Sequence, residues 1–524
     1  MLSNILKQWF TSALMVSVLY SCAVAQDPVQ VKYANLLNEE SAKEKLTLLA
    51  SNAFEGRGTG QKGGEKAAKY IADQFKSLGL QAPVNGSYFQ PLKLIHSSYA
   101  VNKFTVAGKS FQNGKDFYVQ GNNALTTFAS QDIVFVGYGI QDAKHNDLNG
   151  IDIRNKIVLV INEGEPIDAQ GNSIITGTKQ LSAWATDRNK RLQALLAKNP
   201  KLILATSSVV GNMIERFGNR LTAGRYFLDN GAENEDDQAL APVVNITEAV
   251  ANAILAKENT SVAEQMKKPR HAHVSTALEA EMGVKREQLQ DPNVLGLLEG
   301  TDLKDEIVVL SGHYDHDGIT PDGTIFPGAD DNGSGTVGVL ELARVFSKAK
   351  KDGKGPRRSM LFIAFAAEEK GLLGSKFYSE NPIIPLANTV TCLNMDMIGR
   401  IDDKHLNGNH NYLHIIGSDK LSSELFEINK QANERYTKME LDYMYDDPKD
   451  PMRIYYRSDQ YNFAKHNIPV TFYFSGLHPH YHTPEDTVDK INFPMMVKRE
   501  KLVFHVAWEV ANRDKRLAVD SHKE

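Results

Sequence analysis

The chain has 524 residues, 42% hydrophobic and 23% charged, a globular balance that excludes a mainly disordered, collagenous or polytopic membrane chain. Lys and Arg number 59 against 64 Asp and Glu, so the net charge of −5 provides no large positive field for gathering phosphates, and nucleic acid is not expected as a partner. At about 150 residues per domain the length allows two to four domains.

The first 25 residues read as a secretory signal peptide. Lys7 supplies positive charge, Ala13 to Tyr20 is almost wholly apolar, and Ala23-Val24-Ala25 offers a small-residue cleavage site. The run is shorter than the roughly 20 apolar residues a membrane span needs, so no spanning segment is expected. Leu19-Tyr20-Ser21-Cys22 also resembles a bacterial lipobox, in which Cys22 would be acylated. The expected location is therefore secreted or periplasmic, with lipid anchoring at the cell envelope as the alternative. Cleavage after Ala25 leaves Cys392 as the single cysteine, so no internal disulfide is expected. Cys392 lies in the apolar run Thr389–Leu393 and reads as a small buried hydrophobe.

From Glu65 the spacing Ala68, Ile71, Phe75, Leu78 has helical period, and Gly79 closes it. Between about Ser130 and Ile161 the texture turns to short branched runs, Ile133–Tyr138 and Lys156–Ile161, separated by Asn, Asp and Gly. A helical stretch from Arg188 to Lys198, a strand at Leu202–Ala205 and a charged stretch from Glu258 to Arg270, read as a solvated helix face or linker, complete this section. After Asn293 the near-continuous apolar runs Ile307–Leu310, Met360–Phe365 and Val390–Met395 alternate with helical patterns, one of them opened by Ser334 and carried by Val337, Leu340, Ala343 and Phe346. This predicts an α/β fold: a mixed, mainly parallel central sheet with helices on both faces. In such sheets chemistry collects at the carboxyl ends of the strands.

Those ends carry titratable residues. The strand from Ile307 runs into Gly312-His313-Tyr314-Asp315, and Pro327 to Gly335 places Asp330 and Asp331 in a glycine-rich turn before a helix. The strand from Met360 ends in Ala366-Ala367-Glu368-Glu369, and that from Val390 in Asn394-Met395-Asp396; a late segment adds Tyr481-His482-Thr483. Carboxylates directly after apolar strand interiors are costly unless they are neutralised. Two histidines and three carboxylates without thiolate suit a pair of Zn²⁺ ions, and a carboxylate bridging the pair offsets their repulsion.

Together, His313-Tyr314-Asp315, Gly328 to Gly335, Ala366 to Ser375, Asn394 to Gly399 and Tyr481-His482-Thr483 resemble the five motifs of the dizinc exopeptidase family. That family includes bacterial leucine-type aminopeptidases, glutamate carboxypeptidase II and, as a relative, glutaminyl cyclase. The likeness extends over roughly Asn293 to Asn512, and Glu55 to Gly60 resembles the family's opening segment. The resemblance implies that Asp331 bridges two Zn²⁺ ions, that His313 and Asp396 complete one site, and that Glu369 and His482 complete the other. It further implies Glu368 as general base for a water held between the ions, Asp315 orienting His313, Tyr481 as a candidate for stabilising the oxyanion, and a cis peptide at Asp331-Asn332.

The middle section, with Val136-Gly137-Tyr138-Gly139 and Asn155 to Val160, resembles the β-rich protease-associated insert of several members. The expected organisation is a signal peptide (1–25), an N-terminal part of the peptidase domain (26–125), the insert (126–275), the metal-binding peptidase domain (276–515) and a tail (516–524). The implied function is an exported zinc aminopeptidase acting on peptides with a free N-terminus; a carboxypeptidase-like or glutaminyl-cyclase-like enzyme is the alternative, with Arg453 and Arg457 as candidates to hold a substrate carboxylate. His316, His478 and His480 read as loop residues, and Ser458-Asp459 as a helix cap.

Overall fold

The computed structural model describes residues 26–229, 240–267 and 272–522, so the expected signal peptide, the lipobox-like segment and Cys22 lie outside the described residues. Eight strands of an eleven-stranded sheet position the site: β1 (Phe89–Val106), β2 (Leu278–Leu298), β3 (Leu303–His313), β4 (Arg358–Phe365), β5 (Thr389–Met395), β6 (Tyr412–Ile416), β7 (Glu440–Asp442) and β8 (Val470–Phe474). Their order is β7-β6-β8-β5-β3-β4-β2-β1. The centre is parallel, β3 pairing with β4 and β5, and β5 with β8. On the flanks β4 to β2, β2 to β1 and β8 to β6 are antiparallel, and the edge pair β6 to β7 is parallel. The mixed α/β architecture expected from the sequence is therefore present.

The central strands read as continuous apolar runs because both of their faces are covered. Val308 and Leu310 of β3 point into the core shared with helices α1 (Lys62–Leu78), α2 (Gly335–Lys351) and α3 (Phe493–Asn512), whereas Ile307 and Val309 point into the opposite core with Tyr378, Cys392 and Phe463. Helix α1 buries Ala68, Ile71 and Phe75 and ends where Gly79 takes φ 78°, the left-handed stop its sequence predicts.

A second sheet orders Ala272–Val274, Ile133–Phe135, Ile157–Ile161, Leu202–Thr206, Val243–Ile246 and Phe117–Gln120. Its four inner strands are parallel, with helices Arg188–Leu196, Val209–Thr222 and Glu248–Leu255 interspersed along the chain. The expected β-rich insert is thus itself α/β. Phe117–Gln120, placed by the sequence in the preceding segment, pairs antiparallel with Val243–Ile246.

Strands β1 and β2 form a long ribbon that enters both parts of the molecule. Phe104, Val106, Leu278, Ala280 and Met282 at one end join the core of the second sheet, and Val294 and Leu298 at the other join that of the main sheet. The sequence signals a second regime only from Asn293 and gives no sign of the ribbon. In mid-ribbon Lys285 to Gln288 are exposed, so the apolar alternation that marks a strand is missing there. Among the described residues no helix is long and apolar enough to cross a membrane.

Candidate metal centre

Parallel β3, β4 and β5 finish at one edge of the sheet, which brings together residues far apart in sequence. His313 is the last residue of β3, Glu368 and Glu369 follow β4, Asp396 follows β5 directly, and His482 lies in the loop after β8. Asp331 sits in the turn Ala329–Ser334 that enters α2, and the Asp331–Asn332 peptide is cis. The Asn332 amide donates to Met395 O (2.9 Å) and accepts from the N–H groups of Gly335 (2.8 Å) and Met397 (3.2 Å), tying this turn to the end of β5. Gly328 begins the turn at φ 54°, and a Cβ there would lie 2.2 Å from Asp331 O, so glycine is required.

The two histidines address opposite oxygens of Asp331. His313 Nε2 lies 3.5 Å from its Oδ1 and 3.3 Å from Asp396 Oδ1. His482 Nε2 lies 3.3 Å from Asp331 Oδ2 and 3.4 Å from Glu369 Oε2. These spacings are long for charged hydrogen bonds, which run at about 2.7–2.9 Å. They match donors around an ion with bonds of about 2.0–2.1 Å, which stand roughly 3.3–3.4 Å apart in a tetrahedron. His313 Nε2 and Asp396 Oδ1 are buried and hydrogen-bond to nothing in the protein. A nitrogen and oxygen donor set with orphaned atoms at ligand spacing fits a pair of divalent cations.

A second buried cluster makes the contrast. Asp402 contacts His405 Nδ1 at 2.6 Å and His414 Nε2 at 2.8 Å, which are hydrogen-bond lengths, so these three groups are held by direct hydrogen bonds, with His414 Nδ1 3.5 Å from Asp442 Oδ2.

The electrostatics divide the two adjacent glutamates. Burial raises Glu368 well above the usual carboxyl range, assisted by Asp396 and Glu369, with His313 opposing. Burial also works to raise Glu369, but His482 and His316 outweigh it and hold Glu369 well below. Burial and Glu369 raise Asp331 as well. The protein's own groups thus have more negative charge here than they neutralise, a deficit that cations would fill in place of protons.

The structure assigns partners that the sequence did not. The Asp315 carboxylate stands 3.8 Å from His313 Nδ1, too far for a hydrogen bond; the ring N–H donates to the Asp315 main-chain carbonyl instead, at 3.1 Å. That carboxylate accepts from the N–H groups of Glu368 (3.0 Å) and Glu369 (3.4 Å) and from Thr59 Oγ1 (2.9 Å), fixing the turn that separates the two glutamates. His316 lies in the connection after β3 but is fully buried, with Nδ1 2.9 Å from Glu369 Oε1. His478 is likewise buried, its Nε2 3.4 Å from Asp330 Oδ2. His480 takes a hydrogen bond from Arg400 at Nδ1 (3.1 Å). Ser458 donates to Asp396 Oδ2 (2.7 Å), and the Asp459 side chain caps nothing, its buried carboxyl pushed up to about 7. Ser458 therefore holds a site carboxylate, and the helix-cap reading is corrected.

Arg57, in the opening segment, is fully buried beneath the site. Its guanidinium donates to Tyr314 O (2.8 Å), Leu49 O (3.0 Å), Pro327 O (2.7 Å) and Gly328 O (2.7 Å), joining the chain after His313 to the turn before Asp331.

Tyr481 faces a pocket shared with Asp331, Glu368, Glu369 and Asp396, whose apolar wall includes Met397, Ile454, Phe472 and Phe474. Burial, with Asp331 and Glu369, raises the Tyr481 phenol above its ordinary value, so it stays protonated and able to donate. Arg457 lines the same pocket and donates to the Tyr481 hydroxyl (3.2 Å), whereas Arg453 lies over the Tyr456 ring (4.7 Å).

The α/β sheet thus gathers histidine and carboxylate donors at its carboxyl edge, the donor set of a metal-binding domain. Residues 293–507 match the model of peptidase family M28. Aminopeptidase YwaD of Bacillus subtilis is 30% identical over 227 residues, covering 43% of this chain and 46% of that protein. A probable leucine aminopeptidase of Arthroderma benhamiae is 30% identical over 236 residues, covering 44% and 60%. The chain thus spans about half the length of these curated relatives. Two solved structures share the fold: an aminopeptidase from Aneurinibacillus sp. strain AM-1 (TM-score 0.55, 20% identity, 94% of this chain and 98% of that one) and BSAP, a zinc aminopeptidase from Bacillus subtilis (0.55, 20%, 93% and 98%).

Proposed function

We propose that the chain is an exported zinc-dependent aminopeptidase that removes N-terminal residues from peptides. The observation that carries this reading is the placement of His313 and His482 on opposite oxygens of Asp331, the arrangement a carboxylate shared by two ions requires. His313 and Asp396 would complete one site and Glu369 and His482 the other, two Zn²⁺ per chain. The names of the relatives support the activity and the metal.

When bound, a zinc pair polarises the peptide carbonyl and lowers the pKa of water toward 7. The remaining chemistry belongs to the chain. Glu368, which lines the pocket beside Asp331, Glu369 and Asp396, is placed to take a proton from the attacking water and return it to the leaving amine. Tyr481 donates its hydroxyl toward the oxyanion. Asp315 fixes the main chain between Glu368 and Glu369, so that one carboxylate ligates while the other faces substrate. The segment 126–275 is read as a protease-associated insert between 26–125 and the peptidase domain at 276–515.

Arg457 beside Tyr481 supports a second reading, a carboxypeptidase-like enzyme that seats a substrate carboxylate on this cation. Incubating the purified chain with a free peptide and its N-acetylated form, with and without chelator, decides between them. Chelator-sensitive cleavage of the free peptide alone supports the aminopeptidase. Trimming of the blocked peptide from its carboxyl end supports the second reading, and ammonia release from N-terminal glutamine without cleavage identifies a cyclase.

A further inference from the structure

The run His313-Tyr314-Asp315-His316-Asp317 contributes more to the site than a ligand and its neighbour. Asp317, which the sequence reading passed over, accepts a hydrogen bond from His482 Nδ1 at its Oδ2 (2.7 Å). The opposite nitrogen of the same ring, Nε2, is the one that faces Asp331 and Glu369. The imidazole therefore separates Asp317 from the ligand atoms, and Asp317 stands behind the histidine, not beside it. Its other oxygen lies 3.9 Å from Lys370 Nζ, an amine on the chain just after Glu369.

The two candidate histidines are thus supported differently. His313 Nδ1 donates to a neutral main-chain carbonyl (3.1 Å), and His482 Nδ1 to a carboxylate. A carboxylate behind an imidazole fixes its tautomer and ring plane and makes the facing nitrogen a stronger donor. We propose that Asp317 is a positioning residue for His482 and selectively strengthens cation binding at the site formed by Asp331, Glu369 and His482. This rests on the dinuclear reading above.

The test is zinc affinity of the full chain, measured by competition with a chromophoric chelator. Wild type takes up two zinc ions in two resolvable steps. In Asp317→Ala one step weakens by about 10–100-fold, the usual cost of losing such a partner, while the other stays within about threefold. Asp317→Asn, which keeps an acceptor oxygen but drops the charge, falls between Ala and wild type. Both steps unchanged in Asp317→Ala, or both weakened equally, overturns the proposal. If Asp317→Ala melts well below wild type without metal, the comparison is made with Asp317→Asn, and an affinity equal to wild type at both steps overturns it there. Wild type that takes up fewer than two zinc ions overturns the dinuclear reading itself, a result that needs no variant.

Discussion

Arg57→Met isolates the contribution of the buried guanidinium under the metal loops. Methionine has similar length but no donor, so the substitution strips four main-chain carbonyls of a partner: Leu49, Tyr314, Pro327 and Gly328. Each buried acceptor left unpaired costs about 1–3 kcal/mol, so the gross loss is about 4–12 kcal/mol. Relief of the burial penalty on the charge offsets part of this; that penalty is what lowers the Arg57 pKa to about 10, against the carboxylates of Asp486 and Asp331. Removing one partner from a buried charged network typically nets about 3–5 kcal/mol, which we expect here. At about 1–2 °C per kcal/mol, as befits a cooperative unit larger than 250 residues, the melting temperature falls by roughly 3–10 °C. Arg57→Lys, whose ammonium has three donors and no fork, falls between. Calorimetry of the chelated and zinc-loaded chain measures both. A melting temperature for Arg57→Met within about a degree of wild type would mean that water reaches these carbonyls and that the clamp does nothing.

The two glutamates give opposite outcomes. Glu368→Gln keeps zinc by elemental analysis and loses about 10²–10⁴-fold in kcat, whereas Glu369→Gln loses zinc; the reverse pattern shows that their roles are exchanged. Chelation abolishes turnover of aminoacyl chromogens and added zinc restores it; activity that survives metal-free dialysis contradicts the proposed chemistry. Asp291 provides a pH test. Burial lifts its carboxyl to about 7, and it accepts from Tyr314 Oη (2.8 Å) and Gly60 N–H (2.9 Å). The folded state therefore keeps a proton that the unfolded chain releases near pH 4, and this contribution is complete below pH 4 and lost as pH rises through about 7. At about 1.4 kcal/mol per unit, Asp291→Asn should gain on wild type by up to about 4 kcal/mol between pH 4 and 8, read by denaturant unfolding. A stability difference that does not change with pH refutes the assignment.

The legible parts of the sequence were those whose signal is local. Val308 to Leu310 and Met360 to Phe365 announce strands because both faces are buried, and Gly79 announces a helix end because only glycine takes that φ at no steric cost. His313, Asp331, Glu369 and Asp396 stand out as strand-end and turn residues, and it is the family resemblance that selects them over Asp330 and Glu368 and adds His482 from a late segment. The partners of these residues were not legible. Asp317 meets His482 from 165 residues away, and His478 reaches Asp330 only because the late loop folds back over the turn, contacts that no local pattern encodes. The β1–β2 ribbon was hidden for the opposite reason: its middle has no core to face, so Lys285 to Gln288 look like a linker.

That ribbon also governs how the two parts of the protein can move. At about 3.3 Å per residue its 18-residue strand β1 extends roughly 60 Å, hydrogen-bonded to β2 along most of its length. Two cores joined by a paired beam cannot swivel freely as bodies on a tether do. Their relative excursions are flexure and torsion, which concentrate where the ladder slips register between Val101 and Lys103.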